Sequence, residues 1–280
     1  MPMNNRILRP LARPLLLDAV PGAAAAYSVR QLRNSYTGPV VTVRRSSDNA
    51  EQDFKASEID DGTLAAFCGA GDGLVKTWHD QSGSGNDASQ GTAASQPKIV
   101  DSGTLVTEGG KPALEFDGVD DYFRRDMTAA NQSYLAFVVY HHKAAFSVGG
   151  RLLCLNCNIA HTTAADVAAQ SAGNDLKVLQ QAIAFGTGSL AVNVGSSHLL
   201  YFTTGAGSAS LRLYGNGNPS PSSSHDASPA GTGSFLAIMA RADGASNTYG
   251  AVSELIIYPS DQSANRERIE GDINRHFGIF

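Results

Sequence analysis

The chain has 280 residues, 42% of them hydrophobic and 17% charged, with a formal net charge of −5. That apolar content with so little charge excludes a wholly disordered chain, and the acidic balance excludes the basic footprint of a nucleic-acid binder. The length allows one large β-domain or two smaller ones, and 29 glycines spread between short apolar runs favour strands joined by tight turns.

Residues 1–22 read as an extended arm. Pro2, Pro10, Pro14 and Pro21 bar a long helix, and Pro10, Pro14 and Asp18 break up any apolar stretch of signal-peptide length. Ile7, Leu8, Leu11, Leu15 and Leu16 offer apolar anchors, either onto the arm's own domain or into a larger assembly. Ala23 to Asn34, rich in alanine, predicts an early helix. Val40 to Arg44 alternates as a strand, and Arg44 and Arg45 beside Asp48 suggest an ion pair that fixes a loop. Leu74 to Asp80 predicts the strand that carries the single tryptophan, Trp78.

Two strand-to-loop junctions follow, WHDQSGSGN at 78–86 and EFDGVDDYF at 115–123. Both place polar Gly, Ser, Asn and Asp residues where a sheet would present its rim. Asp80, Asp87, Asp117, Asp120 and Asp121 gather there, with turn-making as the structural reading and calcium ligation at Asp117, Asp120 and Asp121 as the alternative. No other cofactor is implied. A sugar site on this rim would stack an aromatic ring and bond hydroxyls, which nominates Trp78, Asp80, Asn86, Asp87 and Tyr122, with Trp78 also suited to a core.

From Tyr134 onward strands recur at short spacing: 134–141, 151–155, 177–185, 190–194, 198–203, 210–214, 235–240 and 250–258. A Ser/Pro/Gly/Asn tract at 215–233 predicts a long rim loop. Ser260 to Phe277 predicts a closing helix with Ser263 as N-cap, an apolar stripe of Ile269, Ile273 and Phe277, and Gly278 as the stop. Cys68, Cys154 and Cys157 read as free thiols; Cys154-x-x-Cys157 with His161 is at most half a zinc site.

FDGVDDYF at 116–123, YGAVSELIIYPSDQS at 249–263 and the closing helix ending in FGI resemble concanavalin A-like lectin/glucanase domains of the laminin-G type. The resemblance implies an all-β, two-sheet antiparallel jelly-roll sandwich over 23–280, here with an N-terminal arm, one early helix and one C-terminal helix. AAYSVRQLRNSYTGPVVTVRRSSDN at 25–49 with WHDQSGSGNDASQ at 78–90 resembles the start of B-type α-L-arabinofuranosidase catalytic domains, and also a block of bacteriophage tail and fibre proteins. In the arabinofuranosidases the resemblance implies a nucleophilic Glu in a Met-Glu-Asn-Asn-like stretch near an adjacent Cys–Cys pair. This chain has neither motif, and no glutamate between 127 and 253.

With no catalytic residue assigned, the leading expectation is a non-enzymatic structural subunit of a phage-like virion. The arm would grip other virion subunits in an oligomeric particle, and the lectin-like domain would bind cell-surface glycan, without nucleic acid or membrane insertion. The alternative is a secreted, arabinofuranosidase-like glycoside hydrolase using displaced carboxylates.

Overall fold

The computed structural model describes residues 13–126, 134–144, 150–157, 165–169, 175–180, 190–204, 212–219, 235–240, 244–245 and 247–280. Every strand pairing among them is antiparallel, and the fold is mostly β with few helices, an all-β sandwich. None of the helices is long and apolar enough to cross a membrane.

The strand Tyr134–His142 lies between Ser196–Thr204 and Tyr249–Tyr258, and the last of these pairs in turn with Ala25–Ser28 and Leu114–Asp117. Successive side chains of a strand point to opposite faces, and here both faces are covered. Ala136, Val138 and Tyr140 enter one apolar cluster with Val41, Val43, Val75, Trp78, Phe116 and Phe123. Leu135, Phe137 and Val139 enter a second with Leu16, Leu17, Ile269, Ile273 and Phe277. The first cluster is the sandwich interior. The second is the outer sheet face, roofed by helix α1 (Leu16–Ala19) and helix α4 (Arg266–Phe277), with the short helices α2 (Ala56–Asp60) and α3 (Thr63–Cys68) between them in the chain. Burial on both faces explains why YLAFVVYHH and YGAVSELIIY are nearly continuous apolar runs. A register shift between Val139 and Tyr140 leaves Ser253 unpaired in the partner strand, so the partner's facing side chains change parity there.

Several sequence expectations are corrected. Ala23–Asn34 is not a helix: Ala25–Ser28 is a strand against Glu254–Ile257. The long-range ladder outweighs alanine's helix propensity, and small side chains let the strand sit fully buried. The arm does not stay extended, because Leu16 and Leu17 are buried in α1 against the domain's own sheet, with Leu15 half-buried before them. Ile7, Leu8 and Leu11 lie outside the described residues. Helix α4 begins at Arg266 rather than Ser260, since Ser263 turns back to Asp261 through its backbone N–H at 2.9 Å and sits in a short 3-10 turn. The apolar stripe and the left-handed Gly278 stop (φ 65°) are as expected. Cys154 is disulfide-bonded and Cys68 is a free buried thiol, which removes both the free-thiol and half-zinc readings at Cys154. The 215–233 loop falls mostly outside the described residues.

Candidate functional site

The 78–87 stretch is a hydrogen-bonded staple. Gln81 is wholly buried: its backbone N–H donates to the Ala26 carbonyl at 2.8 Å, and its side chain donates to the Ser28 and Arg30 carbonyls at 3.1 and 2.9 Å. The Gln81 Oε1 accepts from the Leu32 N–H at 2.8 Å. Asp80 does the same for its own loop and for Ala26. Its Oδ1 accepts from the Ala26 and Ser82 N–H groups, and its Oδ2 from the Ser82 hydroxyl and the Asn86 N–H. Asn86 donates from its amide to the Ala24 carbonyl, and the Tyr27 hydroxyl donates to the Asn86 carbonyl. Two guanidiniums close the loop from outside, Arg33 on the Ser82 carbonyl at 2.9 Å and Arg125 on the Gly85 carbonyl at 3.2 Å.

This geometry corrects the sugar-site reading at Trp78 and Asp80. Trp78 has no exposed surface and packs between Tyr27 and Phe123, ring centroids 5.6 and 6.2 Å away. The oxygens of Asp80 are spent on backbone and Ser82 donors, so neither residue can meet a ligand. Asn86 is likewise engaged in loop closure. Asp87 is half-exposed and binds the His79 ring at 3.0 Å and the Asp80 N–H at 2.8 Å. The hydrogen bond from His79 lowers its carboxyl's pKa, against the opposing pull of burial. The opposite His79 nitrogen lies 2.8 Å from the Thr42 hydroxyl, which donates to Asp53 at 2.6 Å. Tyr122 is half-buried, with its ring so close to Gly244 that a Cβ there would come within 2.9 Å.

At the second junction Asp117 is exposed, Asp120 half-buried and Asp121 buried. The Asp117 Oδ1 accepts from the N–H groups of Val119, Asp120 and Asp121, a turn that Gly118 completes at φ 74°, where a Cβ would come within 2.7 Å of the Tyr249 backbone nitrogen. Carboxylate oxygens of Asp117, Asp120 and Asp121 lie within 4.8 Å of one another. Asp121 Oδ2 accepts the Asp117 N–H at 3.0 Å, and Asp120 Oδ2 accepts the Ser95 hydroxyl at 2.8 Å. Burial pushes the Asp121 carboxyl up to about 7, and the charges of Asp117 and Asp120 add to the rise. These are also the residues that suggested calcium; much of their acceptor capacity already serves the turn.

Beside this turn stands Tyr249, paired with Asp117 and 40% exposed, with Val119 75% exposed. Sequence reasoning missed Tyr249 because it begins an otherwise buried strand. The available signal was its position opposite the first aspartate of the DGVDD turn. The adjacent histidines divide as their alternation requires. His141 is held between Ser197 at 2.6 Å and Ser253 at 2.9 Å, and burial lowers its pKa to about 3. His142 lies on the opposite face, 3.1 Å from the Tyr140 hydroxyl.

Residues 17–111 match a family model described as the catalytic domain of α-L-arabinofuranosidase B. A comparison with curated proteins finds no match. Among solved structures, a GH54 α-L-arabinofuranosidase soaked with a cyclic sulfate inhibitor superposes with a TM-score of 0.68 at 17% identity, covering 90% of this chain and 62% of that one. An arabinofuranosidase complexed with arabinofuranosyl-α-1,2-xylobiose gives 0.66 at 17% identity, covering 92% and 64%. The chain thus spans under two thirds of the length of these structures, and identities this low establish a shared fold. The arabinofuranosidase-like block read at the N-terminus is supported. The expectation of a phage-like virion subunit is overturned, since the family match and the superpositions point to a glycoside hydrolase fold.

Proposed function

We propose that the chain is an arabinofuranosidase-like glycoside hydrolase that releases α-L-arabinofuranosyl units from a polysaccharide in an oxidising, extracellular setting. The observation that carries the reading is the match of residues 17–111 to the arabinofuranosidase B catalytic model, and superposition over nine tenths of the chain agrees with it. The disulfide at Cys154 supports the compartment.

Glycoside hydrolysis runs on two carboxyls, one giving a proton and one ionised, roughly 5 Å apart when configuration is retained. With no glutamate between 127 and 253, that work falls to displaced aspartates. The 117–121 turn brings three carboxylates together. Asp121 is kept protonated toward neutrality and suits the proton donor. Asp120, with a carboxylate oxygen inside the 4.8 Å cluster, would be the second carboxyl. Tyr249 gives the exposed ring on which a sugar's apolar face can rest.

The test is release of 4-nitrophenol from 4-nitrophenyl α-L-arabinofuranoside by the full chain, with Asp120→Asn and Asp121→Asn alongside. Turnover reduced by about a hundredfold or more in both variants is expected. Turnover unaffected by either change would move the reacting pair elsewhere, to Asp166, Asp175, Asp226 or Asp243, whose side chains lie outside the described set. An inert wild-type chain, tested with a range of aryl furanosides, would overturn the hydrolase reading.

A further inference from the structure

On the N-terminal side of the sandwich a cavity of about 220 Å³ opens between the 31–40 segment and the start of helix α2 (Ala56–Asp60). Its polar lining includes Gln31, Asn34, Tyr36, Thr37, Lys55 and Ser57. None of these residues belongs to the 117–121 turn or to the 78–87 staple. From this cavity we infer a second, non-catalytic site that holds one neutral saccharide unit.

Its hydrogen-bonding groups are pre-set. Gln31 donates both amide protons inward, to the Arg33 carbonyl at 2.9 Å and the Tyr36 carbonyl at 3.1 Å, which fixes the amide plane and leaves Oε1 as an acceptor. The Asn34 amide donates to Asp18, which fixes that plane as well and leaves its Oδ1 as a second acceptor. The Tyr36 hydroxyl is used on the Pro39 carbonyl at 2.5 Å, so the ring is anchored by its tip. It lies over Gly38, where an added Cβ would come within 3.0 Å of the Tyr36 oxygen. Lys76, Lys98 and Lys143 each sit in an ion pair, whereas among the described residues the Lys55 ammonium has none.

This donor and acceptor set selects the ligand. Two neutral amide oxygens and a single ammonium supply neither the clustered positive charge that holds a phosphate nor the charged oxygens that hold a metal cation. Vicinal hydroxyls satisfy both, since a hydroxyl donates to an amide oxygen and accepts from Lys55, Thr37 or Ser57. Tyr36 is half-buried against the sandwich core, and the part of its ring left uncovered would take the C–H face of a sugar. The volume falls below the roughly 300 Å³ at which pockets for drug-sized ligands begin, so it suits a single ring. The carbohydrate reading above supplies the ligand class, while the site uses none of the proposed reacting carboxylates. Such a pocket would grip a polysaccharide at a distance from the bond being cut.

The test titrates methyl glycosides of L-arabinose, D-xylose and D-glucose into the isotopically labelled full chain and follows amide resonances by NMR. Saturable shifts with at least one of the three are expected, confined to the Gln31 and Asn34 side-chain amides and to backbone 34–38 and 55–57. Ser57→Trp, an exposed position, fills the mouth and abolishes them. Lys55→Ala weakens the affinity by about fivefold. Both variants keep the wild-type unfolding midpoint and the wild-type turnover of an aryl furanoside. Absence of shifts up to about 100 mM of each glycoside, or shifts that persist in Ser57→Trp, would overturn the site. Hydrolysis without shifts rejects this pocket and leaves the proposed function standing. Shifts in a chain with no hydrolysis keep the pocket and reject the enzyme.

Discussion

Gln81 shows how one side chain can replace a strand. Its three side-chain bonds satisfy the Leu32 N–H and the Ser28 and Arg30 carbonyls, where the chain leaves the ladder after Ser28. Unsatisfied buried polar groups cost about 1–3 kcal/mol each, so Gln81→Leu is expected to lower stability by at least that much in a denaturant titration. Gln81→Glu keeps the acceptor but sets a buried carboxylate oxygen against the Ser28 and Arg30 carbonyls, and should cost at least as much. An unchanged midpoint in Gln81→Leu would show that water, not Gln81, serves these groups. Asp121 makes a prediction of the opposite kind. Its carboxyl is raised to about 7 in the folded chain by burial and by Asp117 and Asp120, against an ordinary value near 3.9 when unfolded. The folded state therefore holds a proton that the unfolded state releases over this interval, and stability falls as pH rises from about 4 to about 7. Asp121→Asn can still accept the Asp117 N–H and has no proton to lose. Thermal midpoints measured across this range should decline less in the variant than in the wild type; parallel curves would contradict the assignment.

At the scale of elements, the roof over the outer sheet face is tied down by one half-buried guanidinium. Arg30 reaches Glu254 through Nε at 2.7 Å and Nη2 at 3.0 Å, and Asp272 of α4 through Nη1 at 3.0 Å. Glu254 is wholly buried and also accepts the Ser28 hydroxyl. Burial works against the Arg30 charge, but the two carboxylates outweigh it and raise its pKa. Breaking one side of a buried pair strands the other charge, at about 3–5 kcal/mol, while replacing both by apolar groups can be near neutral. Arg30→Met should thus destabilise far more than the Arg30→Met, Glu254→Leu double variant, as read from urea midpoints; equal losses would show the pair to be incidental. The strands that meet this roof were legible because their burial on both faces gives long apolar runs, and α4 because its stripe repeats at helical spacing. Ala25–Ser28 was not legible: its alanines favour a helix locally, and only the partner strand more than two hundred residues later makes it a strand. Glu51–Phe54 was missed for a related reason, since its first three residues are exposed and polar and its strand character comes from pairing with Val41–Arg44. The strand ends at WHDQSGSGN and FDGVDDYF were legible from their switch to polar turn residues. The work of Asp80 and Gln81 was not, because their partners lie some fifty residues upstream and no spacing rule connects them.

For the whole molecule, the described part of the N-terminal segment, from Arg13 onward, is part of the fold. Leu16, Leu17 and Val20 are buried with Phe137, Tyr201 and Tyr258 of the sheet and with Ile269 and Ile273 of α4. The Tyr258 hydroxyl donates to the Val20 carbonyl at 2.8 Å, and the Leu17 N–H donates to the Leu32 carbonyl at 2.9 Å. An arm that only gripped a neighbour could be removed with little loss to its own domain. This one covers apolar surface that the sandwich cannot expose without penalty, and truncating a buried leucine to alanine already costs about 2–5 kcal/mol. Deleting residues 1–22 should therefore lower the thermal midpoint strongly and expose the sheet face to a hydrophobic dye, with Leu16→Ala giving a smaller shift in the same direction. The hydrolase reading adds a kinetic consequence. Tyr249 and the 117–121 turn stand at one end of the same strand whose other end, Tyr258, lies under this roof. At temperatures where the truncated chain remains folded, its turnover should stay close to that of the full chain, because the roof touches none of the reacting groups. Loss of activity in parallel with loss of dye exclusion, rather than ahead of it, is the expected order. A truncated chain with an unchanged midpoint would return the segment to the role of a detachable arm.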